Sequence, residues 1–268
     1  MTVSRLVVPD SATCGLVVLS GSSGRVLAER ADVLASYGVA ALAVPWFGVE
    51  GLPASPRRVP LEALLPHVER LASVVPRVGV LGTSFGAEAA LLLAVRDPRI
   101  SLVGALAPTS VVWETSDQDT DGHPVSDAKW TWAGEPIPGV AYADATTQGP
   151  FADARDWHEA SLAACPEPDR FEIPVERITG KVIISSGGDD RVWQAPQFCQ
   201  DIVARRSAAG LTTTHVHHPG AGHQVVLPGE APAPARPDFP RGGSPEADAE
   251  LGAAVLEAVL QACSDIGP

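Results

Sequence analysis

The sequence predicts an α/β protein in which a mostly parallel sheet carries helices on both faces. Short apolar runs that suit buried strands, such as residues 15–19 and 39–44, alternate along the chain with longer stretches of helical apolar spacing. This rhythm is typical of parallel strands joined by helices. The 268 residues, of which 45% are hydrophobic, suffice for a large core. Length alone does not separate one large domain from two small ones; we expect a single domain over residues 1–268.

The predicted elements follow one another in a regular order. Strands are expected at residues 6–8, 15–19, 39–44, 78–81, 100–107, 181–185 and 211–217. Helices are expected at residues 26–37, 61–75, 87–95, 196–209 and 247–263. Gly38 and Gly210 follow two of these helices, where glycine commonly ends a helix. Pro66 should kink or restart the helix that contains it.

Two stretches interrupt the alternation. Residues 109–176 are polar and rich in Trp and Pro, and they separate two predicted strands. We interpret this stretch as a cap-like insertion over the edge of the sheet. Residues 228–245 are rich in Pro, Ala and Gly with few apolar anchors, and we interpret them as a surface loop.

Charge and composition exclude several classes of protein. The net charge of −13 disfavours binding to nucleic acid or to anionic membranes. No apolar run is long enough to span a membrane, and the first residues do not form a signal peptide. The four cysteines are widely scattered, which favours reduced packing residues. We therefore expect a cytoplasmic protein; the sequence does not indicate its oligomeric state.

The segment Gly82-Thr83-Ser84-Phe85-Gly86 has the form Gly-x-Ser-x-Gly. A predicted strand, 78–81, precedes it and a predicted helix, 87–95, follows it. A serine on such a sharp strand-to-helix turn holds its hydroxyl above the sheet edge. The N-terminus of the helix adds N–H groups and partial positive charge that favour an oxyanion. Ser84 is therefore the candidate nucleophile.

A nucleophilic serine needs a histidine base, and His223 is the best placed of the seven histidines. It ends the Gly-rich segment 219–223, directly after the last predicted strand. A loop at that position can reach Ser84 from above the sheet. The remaining histidines lie in predicted helices, in the cap or on the last strand: His67, His123, His158, His215, His217 and His218.

The base needs an acid that fixes its tautomer. The strand before His223 ends in a loop with two adjacent acids, Asp189 and Asp190. Two neighbouring side chains cannot both face one imidazole. Asp190 is nearer the following helix and is preferred, although spacing barely separates the two.

An oxyanion hole requires two N–H donors. The backbone of Phe85 provides one. The second is expected in the loop 20–24, with Ser22 as the first choice and Ser23 as the second. A phosphate-binding loop is a weaker interpretation of 20–24, because the segment has neither the P-loop lysine nor the Gly-x-Gly-x-x-Gly pattern.

Two histidines on the last predicted strand are candidates for metal ligands. His215 and His217 are two residues apart and share one face. No cysteine or acid close by in the sequence completes a tetrahedral set, so we expect no metal ion. We also expect no cofactor.

Several segments together carry a family resemblance: 20–24 with the helix 27–38, the strand 39–44, Trp130-Thr-Trp-Ala-Gly-Glu-Pro-Ile-Pro138, 189–193 and 219–223. They resemble the hydrolase domain shared by bile acid-CoA:amino acid N-acyltransferases and related acyl-CoA thioesterases, within the α/β-hydrolase superfamily. The likeness extends from about residue 15 to 263. It implies an α/β-hydrolase fold, and it implies that Ser84, Asp190 and His223 are the nucleophile, acid and base.

Two departures from the family affect the expected function. Animal members carry an N-terminal β-sandwich domain, which we do not expect here because predicted strands begin close to Met1. The family's conjugating acyltransferases use a cysteine nucleophile, whereas this chain has Ser84, as the thioesterases do. Both departures argue against conjugation of bile acids or amino acids.

We expect a serine hydrolase, a thioesterase or acyltransferase, that acts on an acyl thioester through an acyl-enzyme on Ser84. The thiol carrier would be coenzyme A or an acyl carrier protein. The alternatives are an acyl-releasing cyclase or acyltransferase of natural-product assembly, a small-ester or dienelactone-type hydrolase, and a non-catalytic binding protein on a hydrolase scaffold.

Two groups of residues are candidates for substrate contact. Trp113, Trp130 and Trp132 could line an apolar acyl pocket, with plain packing as the alternative. The pairs Arg57-Arg58 and Arg205-Arg206 could hold coenzyme A phosphates, although such pairs are more often solvated surface.

Overall fold

A seven-stranded sheet forms the centre of the molecule. The structure is a computed structural model and describes residues 4–148 and 151–265. The strands of this sheet are β1 (Arg5–Val7), β2 (Cys14–Leu19), β3 (Ala40–Val44), β5 (Arg77–Thr83), β6 (Ile100–Leu106), β9 (Lys181–Gly187) and β10 (Thr214–His218). They lie in the order β1-β3-β2-β5-β6-β9-β10. Only β1 is antiparallel to its neighbour, so the predicted mostly parallel sheet is confirmed.

A small second sheet joins distant parts of the chain. It consists of β4 (Val59–Pro60), β7 (Trp130–Trp132) and β8 (Glu135–Pro136). β4 pairs with β7 in parallel, and β7 pairs with β8 antiparallel. The small sheet therefore joins the predicted cap segment to the chain around Val59.

Five of the described helices lie where the sequence predicts them, and two further helices occur within the predicted insertion 109–176. They are α1 (Ala28–Ser36), α2 (Leu65–Ala72), α3 (Phe85–Arg96), α4 (Ala145–Gln148), α5 (Ala154–Ala164), α6 (Ala195–Ala208) and α7 (Pro245–Asp265). Short 3₁₀ segments occur at Leu61–Leu64, Pro168–Phe171 and Val175–Arg177. Pro66 lies in the first turn of α2, so the predicted helix restarts there. None of the described helices has the length and apolar character needed to cross a membrane.

The core lies on both faces of the main sheet. In β2, Val17 and Leu19 belong to one buried cluster, and Leu16 and Val18 belong to the other. Successive strand residues point to opposite faces, so one strand supplies both clusters. Helices α2, α3 and α6 cover the first face, and α1 and α7 cover the second. A single domain over residues 1–268 remains a proposal.

The segment between β6 and β9 contributes to the first of these clusters. Trp113, Trp130 and Ile173 are fully buried within it. Residues 149 and 150 of the predicted insertion lie outside the described residues. A cap-like role for residues 109–176 remains a proposal.

The parallel strands bring the predicted site together. Ser84 follows β5, Asp190 follows β9, and His223 follows β10. The loop 20–24 follows β2, which is the neighbour of β5. Because these strands run in the same direction, their carboxyl ends and the loops after them share one edge of the sheet.

Candidate active site

Ser84 occupies a strained turn between β5 and α3. Its backbone has φ 58° and ψ −122°, a conformation that non-glycine residues rarely adopt. The Ser84 N–H donates to the carbonyl oxygen of Leu106 at 2.9 Å, and the Ser84 carbonyl accepts from Ala87 N at 2.8 Å. These bonds hold the turn in place. Strain that the surrounding structure maintains in this way is common at functional sites.

The two glycines of the motif are required by close packing. A Cβ on Gly82 would collide with the carbonyl oxygen of Gly86. A Cβ on Gly86 would collide with the carbonyl oxygen of Ser20, after β2. The motif therefore allows α3 to start directly against β5 and the Ser20 loop.

His223 and Asp190 form a hydrogen-bonded pair. The Nδ1 atom of His223 lies 2.8 Å from Oδ2 of Asp190. Asp190 has no exposed surface, and its Oδ1 accepts from the backbone N–H groups of Val192 at 2.8 Å and Trp193 at 3.2 Å. The carboxylate is thus fixed by three donors. An Nδ1–H that donates to Asp190 leaves Nε2 of His223 as the proton acceptor.

Asp189, the alternative acid, turns away from His223. Its carboxylate accepts from Arg191 Nε at 2.7 Å and from Gly243 N at 3.0 Å. The Gly243 N–H and the Arg191 guanidinium lower the pKa of Asp189. The structure therefore brings Asp190, and not Asp189, to the imidazole.

Trp193 links the serine turn to His223. Its ring lies edge-on to His223 with the centroids 5.4 Å apart, and 5.7 Å from the ring of Phe85. Trp193 is fully buried, and its indole Nε1 has no hydrogen-bond partner among the described residues. No hydrogen bond joins Ser84 Oγ to His223 in the described part of the chain. Trp193 was not among the predicted site residues, although it lies three positions after Asp190.

The loop 20–24 packs directly against Ser84. A Cβ on Gly21 would lie 3.0 Å from Ser84 Cβ and 3.5 Å from its Oγ. Gly24 N donates to Gly21 O at 3.1 Å and closes a tight turn that contains Ser22 and Ser23. Among the backbone hydrogen bonds of residues 4–148 and 151–265, none is donated by the N–H group of Ser22 or of Phe85. This placement is compatible with the predicted oxyanion hole, which remains a proposal.

The three predicted substrate-contact tryptophans pack within or against the core in the structure, and an acyl pocket lined by them remains a proposal. Trp113 and Trp130 have no exposed surface. The ring of Trp132 contacts the guanidinium of Arg96, whose Cζ lies 5.5 Å from the ring centroid. Arg96 ends α3, roughly 18 Å along the helix axis from Ser84. The structure thus does not bring Trp132 to the nucleophile.

A buried ion pair lies behind the serine turn. Lys129 Nζ lies 3.0 Å from Oε2 of Glu88, and neither side chain is exposed. Glu88 also accepts from Trp130 Nε1 at 2.8 Å and Trp113 N at 3.2 Å. Burial raises the pKa of Glu88 and lowers the pKa of Lys129 to about 8. The Lys129 ammonium lies 3.3 Å from the ring centroid of Phe85, so a cation–π contact holds the side chain of the residue next to Ser84.

Sequence reasoning missed this ion pair. The available signal was a single acid, Glu88, in an otherwise apolar helix, together with one of the few lysines just before Trp130. The two residues are 41 positions apart, and no local pattern pairs them.

The remaining histidines do not form a metal centre in the structure. Ser186 Oγ lies 2.9 Å from His215 Nε2 and 3.0 Å from His217 Nδ1. Residues 4–148 and 151–265 contain no group of three or more potential ligands arranged for a metal ion.

The predicted arginine pairs are engaged elsewhere. Arg57 and Arg58 both donate to Asp127, at 2.8 and 2.9 Å. Arg205 donates to backbone carbonyls and lies 3.2 Å from Glu172. The guanidinium of Arg206 donates to the backbone carbonyls of Val175, Ile178, Gly180 and Thr212. Arg57 and Arg58 share the single carboxylate of Asp127 and stay about half exposed, so contact of this pair with a phosphate remains a proposal.

Residues 65–236 match the family model described as BAAT / Acyl-CoA thioester hydrolase C terminal. This match covers more than half of the chain. The chain belongs to this family.

Among curated members of the BAAT / acyl-CoA thioester hydrolase family, human acyl-coenzyme A thioesterase 1 is 29% identical over 222 residues. Mouse bile acid-CoA:amino acid N-acyltransferase is 23% identical over 219 residues. Each alignment covers 80% of this chain and 49% of the relative. The chain therefore spans about half the length of these relatives.

Solved structures identify the fold. The structure of Est1E from Butyrivibrio proteoclasticus with ferulic acid matches with a TM-score of 0.56 and 15% identity, covering 98% of this chain and 96% of Est1E. The chain has the α/β-hydrolase fold, as its sequence predicts.

Proposed function

We propose that this chain is a serine hydrolase that cleaves an acyl thioester through an acyl-enzyme on Ser84. The observation that carries the proposal is the buried hydrogen bond between His223 and Asp190, 2.8 Å long, at the sheet edge where Ser84 occupies a strained turn. Membership of the BAAT / acyl-CoA thioester hydrolase family supports a thioester substrate.

In the acylation step, Ser84 Oγ attacks the thioester carbonyl carbon while His223 Nε2 accepts the hydroxyl proton. Asp190 accepts the hydrogen bond from Nδ1 and stabilises the imidazolium that forms. The carbonyl oxygen becomes an oxyanion, for which the N–H groups of Phe85 and Ser22 are the proposed donors. The carbon–sulfur bond then breaks, and His223 returns the proton to the thiolate.

In the second step, a nucleophile releases the acyl group from Ser84. Water would give a free acid, with His223 acting again as the base. A Ser ester is more readily hydrolysed than transferred, so hydrolysis is the preferred outcome. Transfer or cyclisation, in which an amine or hydroxyl replaces water, is the alternative that an acyltransferase relative keeps open.

The cellular compartment is proposed from the cysteines. All four are free thiols, which suits the reducing cytoplasm.

The thiol carrier is proposed to be coenzyme A, with an acyl carrier protein as the alternative.

The central experiment is covalent labelling followed by turnover. A fluorophosphonate should label the protein, and peptide mass spectrometry should place the adduct on Ser84. Hydrolysis of acyl-CoA, acyl-cysteamine and p-nitrophenyl esters should then yield the free acid. Ser84→Ala should remove labelling and reduce turnover on the order of a millionfold, because the triad acts as a unit. Near-normal turnover in a correctly folded Ser84→Ala variant would contradict the serine mechanism.

A further inference from the structure

An arginine stands beside each of the two loops that face Ser84. Arg241 is held next to the imidazole residue, since His223 N donates to the Arg241 carbonyl oxygen at 2.9 Å. Arg25 directly follows Gly24, which closes the turn that packs on Ser84. Arg25 is exposed and Arg241 is partly exposed, so both side chains can meet a ligand from solvent.

Arg30 joins the helix that follows Arg25 to the segment that follows His223. Its guanidinium donates to Thr83 Oγ1 at 2.9 Å, directly before Ser84, and to the Val225 carbonyl at 2.7 Å, just after His223. It also forms a buried ion pair with Glu230 at 2.6 Å. These Arg30 contacts join the start of α1 to the segment that leads from His223 towards Arg241. Arg25 and Arg241 therefore both lie on segments that border the loops around Ser84 and His223.

The positive charges of Arg25, Arg236 and Arg241 are only partly balanced by carboxylates. Burial, followed by the nearby charges of Arg236 and Arg25, lowers the pKa of Arg241. Arg236 is paired with Asp238, but within residues 4–148 and 151–265 neither Arg25 nor Arg241 forms an ion pair with a carboxylate. Arg241 makes a single side-chain bond, to the Pro234 carbonyl at 3.2 Å. Like charges placed together without counterions are destabilising unless an anion joins them.

We propose that Arg25 and Arg241 form an anion site at the entrance to the candidate active site and bind a phosphate of the pantetheine thiol carrier. This inference rests on the proposed function. The reacting sulfur and the phosphate lie at opposite ends of the pantetheine arm, so the phosphate is held at the surface around the site. Guanidinium groups match phosphate oxygens well. With a net charge of −13, the protein repels anions at long range, so local cations must hold them.

The test compares thioesters that share one acyl group and differ only in phosphate: acyl-pantetheine, acyl-4′-phosphopantetheine and acyl-CoA. In the double variant Arg25→Gln/Arg241→Gln, the ratio of kcat/KM for acyl-CoA to that for acyl-pantetheine should fall about tenfold. Arg70→Gln is the matched control, because Arg70 is exposed near the end of α2, at the opposite edge of the sheet from Ser84. Its ratio should stay at the wild-type value. An unchanged ratio in the double variant overturns the proposal.

A binding measurement separates this inference from the proposed chemistry. Calorimetric titration with coenzyme A, 4′-phosphopantetheine and pantetheine requires no turnover, so it remains informative if Ser84 is not a nucleophile. The wild type should bind the two phosphorylated ligands more tightly than pantetheine, and salt should weaken that preference. Equal binding of 4′-phosphopantetheine and coenzyme A would assign the site to the pantetheine phosphate, and tighter binding of coenzyme A alone would assign it to the nucleotide phosphates. Equal binding of all three ligands would show that the anion site does not exist.

Discussion

At the scale of single residues, the two adjacent acids after β9 have different partners. Asp190 is fully buried and receives three hydrogen bonds, one of them from the imidazole of His223. Asp189 is partly exposed and is bonded to Arg191 and Gly243. The two acids are adjacent in sequence, yet Asp190 orients the imidazole and Asp189 anchors a loop.

This difference leads to a prediction at the same scale. Asp190→Asn should reduce kcat/KM about ten-thousandfold, because an amide at this position favours the wrong imidazole tautomer. Asp189→Asn should reduce kcat/KM less than about tenfold, since the amide oxygen can still accept from Gly243 N. Steady-state kinetics on one thioester and circular dichroism of both variants would measure this. A larger loss in the Asp189 variant would assign the acid to the other residue.

At the scale of elements, the predicted surface loop 228–245 also makes backbone contacts with the loops that carry Asp189 and His223. The carbonyl of Arg241 accepts from the N–H groups of His223 at 2.9 Å and Arg191 at 3.3 Å. Gly243 N donates to Asp189 at 3.0 Å. The loop therefore clamps the acid loop and the histidine loop to each other, and its shape bears directly on the candidate site.

A substitution at Gly242 tests the clamp. Gly242 has φ 71°, and a Cβ there would collide with the Asp189 carbonyl oxygen. Gly242→Ala should therefore displace the acid loop and lower kcat/KM at least tenfold, which corresponds to about 1.4 kcal/mol. Gly210→Ala is a matched control, because Gly210 has φ 73° but no atom within 4 Å of the added Cβ. Equal effects of the two substitutions on kcat/KM would mean that backbone strain, and not the clamp, explains the loss.

At the scale of the whole molecule, His158 makes the stability depend on pH. His158 is buried among Trp113, Trp157 and Trp193, and its Nδ1–H donates to the Ala154 carbonyl at 2.7 Å. Burial lowers the pKa of His158 to about 4. Between that value and the unfolded pKa of about 6.5, the unfolded chain binds a proton that the folded chain does not. Its contribution to stability is therefore fully present above pH ~6.5 and is lost as pH falls towards 4.

The expected result is a loss of up to about 3 kcal/mol in the free energy of unfolding between pH ~6.5 and ~4. Urea titrations at several pH values would measure it. His158→Phe should flatten this dependence, whatever it does to the stability at neutral pH. His123→Gln is the comparison: Asp144 raises the pKa of His123, so its contribution is fully present below pH ~6.5 and is lost only as pH rises above that value. The His123→Gln variant should therefore keep the fall in stability below pH ~6.5. An equally steep fall in the His158→Phe variant would mean that other groups cause it.

The local sequence determined the architecture and the position of the nucleophile. Alternating apolar runs and helical periods predict the parallel sheet, because both patterns depend on residues a few positions apart. The Gly-x-Ser-x-Gly motif itself supplies Gly82 and Gly86 at the two positions where a Cβ would collide with backbone atoms. The loops after β9 and β10 converge on Ser84 because parallel strands end at the same edge.

Tertiary structure alone decided which side chains face each other. Spacing left Asp189 and Asp190 nearly equivalent, and the family resemblance favoured Asp190 without a physical reason; the fold supplies that reason by directing Asp190 to His223 and Asp189 to Arg191. It also placed Trp113 and Trp130 in the core, and it joined Glu88 to Lys129 across 41 positions. Such contacts depend on chain segments that are distant in sequence, and neither periodicity nor composition records which distant segments meet.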